Sequence, residues 1–240
     1  MSESGHERID SMYDDKLRKR IGDTWAQFMK CQDGDNYDTA STPESMNIDP
    51  KDHGYIKLME KYLPNKDLRI LEIGAGDGSE TRTFINWGYK NITGITVGRN
   101  NCSRGKELYN VDLQFMDMHF TPFPNKSFDA IIGFQTYEHT PAPLLLGLEF
   151  NRLLVPGGKI LMQVPYGESH FPYDENPHHL NVVEPWITKN MLRKAGFENI
   201  VVERKPGSNN TSTDTFFAEK VGNGAHNNHF NDIVNGKFLN

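Results

Sequence analysis

Ten residues, LEIGAGDGSE (71–80), constrain what this chain can fold into more than any others. A short apolar run, LRILEIG (68–74), ends in glycine. Further glycines stand at 76 and 78, at the head of a helix-like stretch, GSETRTFINWG (78–88), that closes on Gly88. A run of that length bounded by glycine reads as a buried strand. The turn after it can adopt backbone conformations that a Cβ would forbid, and the following helix offers N–H groups at its start that no carbonyl of its own satisfies. Strand, glycine turn and helix start together make a ligand-binding corner at the carboxyl edge of a parallel sheet.

The rest of the chain repeats this alternation. HGYIKLMEKYLP (53–64) is a helix stopped by Pro64. NITGITV (91–97), LQFMD (113–117), SFDAIIGF (127–134) and KILMQVP (159–165) read as further strands. RNNCSRGKELYN (99–110), PAPLLLGLEFNRLL (141–154, ending before VPGG) and WITKNMLRKAGF (186–197) read as helices between and after them. NIVVERK (199–205) and TFFAEKV (215–221) have no helix between them and should pair antiparallel. Strands and helices in this order predict an α/β sheet covered on both faces.

The expected organisation has three parts. Residues 1–50 form an N-terminal helical and loop extension, in which SMYDDKLRKRIGDTWAQFMK (11–30) carries Ile21, Trp25, Phe28 and Met29 on one helix face. That helix is either a lid over the site or a layer packed on the sheet. Residues 51–221 form the main α/β domain, and the Asn- and Gly-rich stretch 222–240 a flexible tail. With 26 basic and 32 acidic residues the formal net charge is −6. Such a chain gains nothing from releasing phosphate counterions, which argues against non-specific nucleic-acid binding. Cys31 and Cys102 sit in no CxxC, so neither a disulfide framework nor a zinc knuckle is expected. The opening residues lack the basic-then-apolar pattern of a signal peptide, and no apolar run approaches the ~18 residues of a membrane span. The expected compartment is the cytoplasm; the oligomeric state is left open.

Two ligand classes use a glycine corner of this kind. The dinucleotide fingerprint G-x-G-x-x-G would place a third glycine where Ser79 stands. LEIGAGDG instead resembles the first motif of the Rossmann-like (class I) S-adenosylmethionine-dependent methyltransferases. The resemblance continues through DMHFTPFPNKSFDAIIGFQTYEHTPAP (117–143), EFNRLLVPGGKILMQVP (149–165) and HHLNVVEPWITKNMLRKAGFENIVV (178–202), and covers roughly residues 53–221. It is nearest the ubiquinone-biosynthesis-like subgroup, whose members methylate many small molecules and glycans. The resemblance implies a Rossmann-like, seven-stranded, mostly parallel sheet with an antiparallel last strand. It also implies S-adenosyl-L-methionine as cofactor, S-adenosyl-L-homocysteine as product, and a small-molecule or glycan acceptor.

Carried over residue by residue, the resemblance sets Gly74, Ala75 and Gly76 against the methionine part of the cofactor. Glu72 orients that loop or meets the methionyl amine, Asp117 accepts from the adenine amine, and the Met118 N–H faces a ring nitrogen. Gln135, at the end of the fourth strand, is placed near the methionine carboxylate or amine. One position departs from the usual pattern. Where most of the family ends its second strand in an acid that grips both ribose hydroxyls, this chain has Thr96. GITVGRNN resembles a minority pattern found in tocopherol methyltransferases and cyclopropane-fatty-acid synthases, with Asn101 where those have Gln. An amide both donates and accepts, so Asn101 or its neighbour Asn100 can rebuild part of the ribose grip.

The acceptor side is less determined. Methyl transfer needs alignment and a dry pocket more than a catalytic triad. A base is needed only when the acceptor must lose a proton. His139 and His179 are the candidates for that base, and a loop-fixing role is the alternative for His139. His178 and His179 are adjacent, and adjacent histidines seldom turn toward one ion, so no metal is expected. Two other functions stay open: a catalytically silent cofactor- or partner-binding protein on this fold, and a nicotinamide-dependent oxidoreductase.

Overall fold

The computed structural model describes residues 15–32, 53–166, 178–206 and 212–221. The expected loop after Gln32, the tail 222–240 and most of the loop after the fifth strand lie outside the described residues. In chain order the elements are α1 (Asp15–Gln32), α2 (Gly54–Tyr62), β1 (Arg69–Ile73), α3 (Ser79–Asn86), β2 (Asn91–Thr96) and α4 (Arg99–Tyr109). Then come β3 (Gln114–Phe115), β4 (Phe128–Phe134), a single 3-10 turn at Tyr137–His139, α5 (Pro143–Leu153), β5 (Leu154–Pro165), α6 (Pro185–Lys194), β6 (Phe197–Pro206) and β7 (Ser212–Lys220).

The seven strands form one sheet in the order β3-β2-β1-β4-β5-β7-β6. β1 to β5 run parallel, and β7 is antiparallel to both its neighbours. The chain winds outward from β1 to β3, then crosses back to lay β4 on the other side of β1. That reversal leaves a crevice beyond the ends of β1 and β4, where open α/β sheets bind ligands.

Side chains alternate cleanly across the sheet, as a period of two requires. Leu71, Ile73, Ile131, Ile160 and Met162 join one core with Leu146, Phe150 and Leu153 of α5 and Leu192 of α6. Ile70, Ala130, Ile132 and Leu161 join the other with Ile56 and Met59 of α2 and Phe84 of α3. Both faces are covered, which explains why β1 and β4 read as mostly apolar runs rather than alternating ones.

Two strands differ from the sequence expectation. β3 is only two residues long, because it is an edge strand that pairs with β2 at Gln114 and Phe115 alone. β5 begins at Leu154 rather than 159. Leu154 pairs with Phe128, and the register then jumps to Ala130 with Lys159. The VPGG stretch is therefore an irregular bulge inside the strand pair, with Gly157 at φ +75°, and not a separate turn.

Candidate functional site

The glycine corner is set by backbone conformation. Gly74, Gly76 and Gly78 have φ of +61°, +52° and +86°. A Cβ on Gly74 would lie 2.3 Å from Thr136 Oγ1, so the β1 and β4 ends approach more closely than any other residue permits. The Ala75 N–H donates to Ile95 O (2.9 Å) and the Gly78 N–H to Ala75 O (2.8 Å), which ties the loop to β2 and folds it onto α3. From Ile70 to Ser79 every residue is buried except Gly74, which is exposed, and Gly76, which is partly so. The corner therefore presents bare backbone to the crevice.

Behind it lies Glu72, 3% exposed, whose Oε2 accepts a 2.6 Å hydrogen bond from Thr81 Oγ1. Burial pushes its carboxyl up to about 8; the Thr81 hydroxyl opposes that shift and Glu80 adds to it. Tyr55, stacked on Phe134 at 4.2 Å, is raised to about 12 by burial, then by Glu80 and Glu138. Glu72 is thus protonated below about pH 8, and Glu80 and Glu138 set the negative field beside Tyr55, a setting that favours a cationic ligand group.

Asp117 follows β3 and is the hub of a relay. Its Oδ1 accepts from the His119 backbone N–H (2.9 Å) and faces His119 Nδ1 (2.7 Å). Its Oδ2 accepts from Trp25 Nε1 of α1 (2.6 Å). A carboxylate only accepts, so His119 carries its proton on Nδ1, and Nε2 accepts from Thr140 Oγ1 (2.6 Å), which itself accepts from the Ala142 N–H (3.0 Å). Burial works to raise the Asp117 carboxyl, but the bonds from His119 and Trp25 outweigh it and hold the group below the usual carboxylate range. Trp25 also stands edge-on to His119 and Phe120, at 5.0 and 5.2 Å between ring centroids.

At the end of β2, Thr96 is 5% exposed and its Oγ1 accepts the Gly98 N–H (3.2 Å). The hydroxyl is spent on the turn into α4. Asn100 is exposed and Asn101 is fully buried, so of the two amides Asn100 is the accessible one. Gln135 has φ +52° and donates its backbone N–H to Gln163 O (2.8 Å), which turns the chain sharply off β4.

On the far side of the crevice two distant segments meet. The Glu138 carbonyl accepts from the Leu180 and Asn181 N–H groups, both at 2.8 Å. His139 Nδ1 lies 2.9 Å from the His178 carbonyl, and the His139 and His179 rings meet edge-on at 5.1 Å. Glu138 is 1% exposed. One ligating atom from each of Glu138, His139 and His179 lies within 4.8 Å of the other two.

Known proteins resemble this chain in sequence and in fold. Residues 71–162 match the family described as "Methyltransferase domain". That stretch is similar to a methyltransferase domain. The sterol 24-C-methyltransferase ERG6B of Gibberella zeae is 31% identical over 98 residues, 38% of this chain and 26% of that protein. The O-methyltransferase cnsE of Penicillium expansum is 25% identical over 157 residues, 59% of this chain and 56% of that one. Among solved structures, Haemonchus contortus phosphoethanolamine N-methyltransferase 2, bound to phosphomonomethylethanolamine and S-adenosylhomocysteine, superposes with a TM-score of 0.62 at 18% identity. It covers 70% of this chain and 52% of that one. The chain spans less than two thirds of each of these curated relatives. The fold is the one that these methyltransferase structures share.

Within this fold, the sequence-expected residues fall into two groups. Glu72, Gly74, Ala75, Gly76, Thr96, Asp117, Met118 and Gln135 gather around the ends of β1, β2, β3 and β4; Asn101 lies inside the first turn of α4. His139 and His179 meet edge-on. Sequence reading missed His119, Thr140 and Thr136. Only the D-x-H spacing of Asp117 and His119 signalled the first, and nothing local signalled the others. Part of the family resemblance is structural rather than catalytic. Arg152 donates to Phe123 O (2.7 Å) and Asn125 Oδ1 (2.9 Å), and Glu149 Oε1 accepts from the Thr121 N–H (2.9 Å). These bonds hold the PFP turn before β4. No described helix is long and apolar enough to cross a membrane.

Proposed function

We propose that this chain transfers the methyl group of S-adenosylmethionine to a small-molecule or glycan acceptor, as members of the ubiquinone-biosynthesis-like subgroup do. The observation that carries the reading is the exposed Gly74 backbone in an otherwise buried corner, across the crevice from a carboxyl held below its usual range at Asp117. These groups fit the cofactor chemically. Bare backbone at a strand–helix junction suits the methionine end, and an ionised acceptor suits an exocyclic amine. When bound, the cofactor supplies a methyl group on positively charged sulfur.

In this reading Gly74, Ala75 and Gly76 shape the methionine pocket, with Glu72 fixing the loop through Thr81 and Gln135 at its far wall. Asp117 and the Met118 N–H hold the adenine. Thr96 fixes the turn at the ribose edge, where Asn100 from the surface and Asn101 from within supply amides in place of the usual acid. His139 and His179 face the acceptor and take its proton where one must be lost. Alignment supplies most of the rate. The segment 51–221 is the catalytic unit, and α1 caps the adenine end through Trp25.

Calorimetric titration with S-adenosylmethionine and S-adenosylhomocysteine tests this. Micromolar binding is expected, weakened by Asp117→Ala by about tenfold or more, the equivalent of a charged hydrogen bond worth ~1.5–3 kcal/mol. Asn100→Ala and Asn101→Ala divide the ribose contribution between surface and interior. A wild-type chain that binds neither compound would sink the proposal and point to a silent, partner-binding role.

A further inference from the structure

We propose that Glu138, His139 and His179 form a site for one divalent transition-metal cation of the zinc class, placed at the acceptor rim. Two imidazoles and one carboxylate are a donor set that such ions accept, and three protein ligands leave a position for an exogenous oxygen. Among the described residues this is the one group of three His, Cys, Asp or Glu side chains with ligating atoms so close together.

The surroundings orient the ligands. The His178 carbonyl can only accept, so the 2.9 Å contact puts the His139 proton on Nδ1 and makes Nε2 the nitrogen with a lone pair. A backbone carbonyl on the second ring nitrogen is the usual way a metal-binding histidine is held. His179 belongs to the segment that is pinned to Glu138 by the Leu180 and Asn181 N–H groups. Backbone bonds hold the two segments together, and the His139 ring is oriented through its Nδ1. Ligands in a tetrahedral site with bonds of ~2.0–2.1 Å lie about 3.3 Å apart. The trio, within 4.8 Å, reaches that by small side-chain rotations. Glu138 is 1% exposed, and a carboxylate at that depth is stable beside compensating charge, which a cation supplies.

The ion's use rests on the methyltransferase reading: it would take an acceptor bearing a hydroxyl or phenol oxygen. Coordination lowers that oxygen's pKa. With both imidazoles on the ion, this takes the place of the base role given to His139 and His179: the proton leaves to water, the oxygen lone pair forms the C–O bond, the C–S bond breaks, and the departing electron pair stays on sulfur as a neutral thioether.

Cobalt(II) is the probe. The full chain, stripped with chelator and titrated with Co2+, should bind one equivalent with visible d–d bands that Zn2+ abolishes. Loss of a second-shell partner costs a metal site about 10–100-fold, so His179→Ala and Glu138→Gln should weaken Co2+ binding at least that much. His178→Ala, which keeps the carbonyl, should stay within about threefold of wild type. Absence of the bands would overturn the site, and so would an equal loss in His178→Ala, which would mark adventitious binding to a histidine pair. S-adenosylhomocysteine titration of the same samples separates the two proposals. Cofactor binding without Co2+ binding refutes the cation site and leaves methyl transfer standing. Co2+ binding without cofactor binding upholds the site and refutes its use in methyl transfer.

Discussion

The glycine corner and the acceptor rim lie at the same edge of one sheet and are built in opposite ways. The corner comes from one continuous stretch: Glu72 is held by Thr81, and the three glycines between them take positive φ. The rim joins residues 138–139 to residues 178–181, bound by backbone hydrogen bonds across about forty positions. A site made of backbone conformation fails when a side chain is added. A site made of side chains on a pinned backbone changes its chemistry while the fold stays intact.

The largest expected effect follows directly. Gly74→Ala puts a Cβ 2.3 Å from Thr136 Oγ1 at φ +61°. Left-handed strain of ~1–2 kcal/mol and overpacking of ~1–3 kcal/mol add up to a loss of about 2–5 kcal/mol in urea denaturation. S-adenosylhomocysteine affinity should fall about a hundredfold or more, because the β1 and β4 ends must part. Gly157→Ala is the control: its φ is +75°, but nothing lies within 4 Å of the added atom. It should show the strain alone and leave cofactor affinity unchanged. Equal losses in the two variants would mean that the close approach to Thr136 does not matter.

Next in size is a pH effect from the same corner. Folding raises the Glu72 carboxyl from 4.5 to about 8, chiefly by burial. Between those values the folded chain holds a proton that the unfolded chain has released. Stability is therefore full below pH 4.5 and is lost as pH rises toward 8, by up to ~1.4 kcal/mol per pH unit. Glu72→Gln should flatten the profile across that window. Asp117 and Glu149, both held below their usual range, act with the opposite sign and only at lower pH. Denaturation midpoints at pH 5, 6, 7 and 8 decide the matter, and parallel profiles for wild type and variant would place the titration elsewhere.

The same contrast explains what the sequence could and could not reveal. β1, β2 and β4 are legible because each is an apolar run closed by glycine or a turn, and the antiparallel end follows from two strands with no helix between them. The glycine corner is legible because its constraints are local. VPGG looks like a turn because Pro and Gly punctuate, yet Leu154 finds Phe128 and carries the pairing through. LQFMD looks like a five-residue strand, but an edge position gives it one neighbour and only two paired residues. The contact of Trp25 with Asp117 spans 92 positions, and no period or motif encodes a partner at that distance. His139 and His179 could each be named from their types. Their meeting depends on the Leu180 and Asn181 bonds to Glu138, which only the folded chain displays.

That long-range contact gives the third prediction. The Trp25 indole N–H occupies Asp117 Oδ2, the acceptor proposed for the adenine amine. Trp25→Phe keeps a ring against His119 and Phe120 but removes the donor. S-adenosylhomocysteine should bind more tightly, by up to about tenfold, since a competing charged hydrogen bond worth ~1.5–3 kcal/mol is gone and only part of it is recovered. Weaker binding would instead mean that the indole itself touches the bound cofactor.

The smallest effect belongs to Thr96, the residue standing where an acid is usual. Its Oγ1 already accepts the Gly98 N–H at 3.2 Å, in a buried turn. Thr96→Val keeps the shape and removes that acceptor, leaving a buried donor unsatisfied at a cost of ~1–3 kcal/mol; with a 3.2 Å bond at stake, the low end is expected in urea denaturation. Cofactor affinity should move by less than threefold, because the hydroxyl serves the turn and the ribose edge is left to the amides of Asn100 and Asn101. A tenfold loss with little change in stability would reverse that division. It would give the ribose to Thr96 and make the departure from the acidic pattern a substitution of one hydrogen-bonding group for another at the same point.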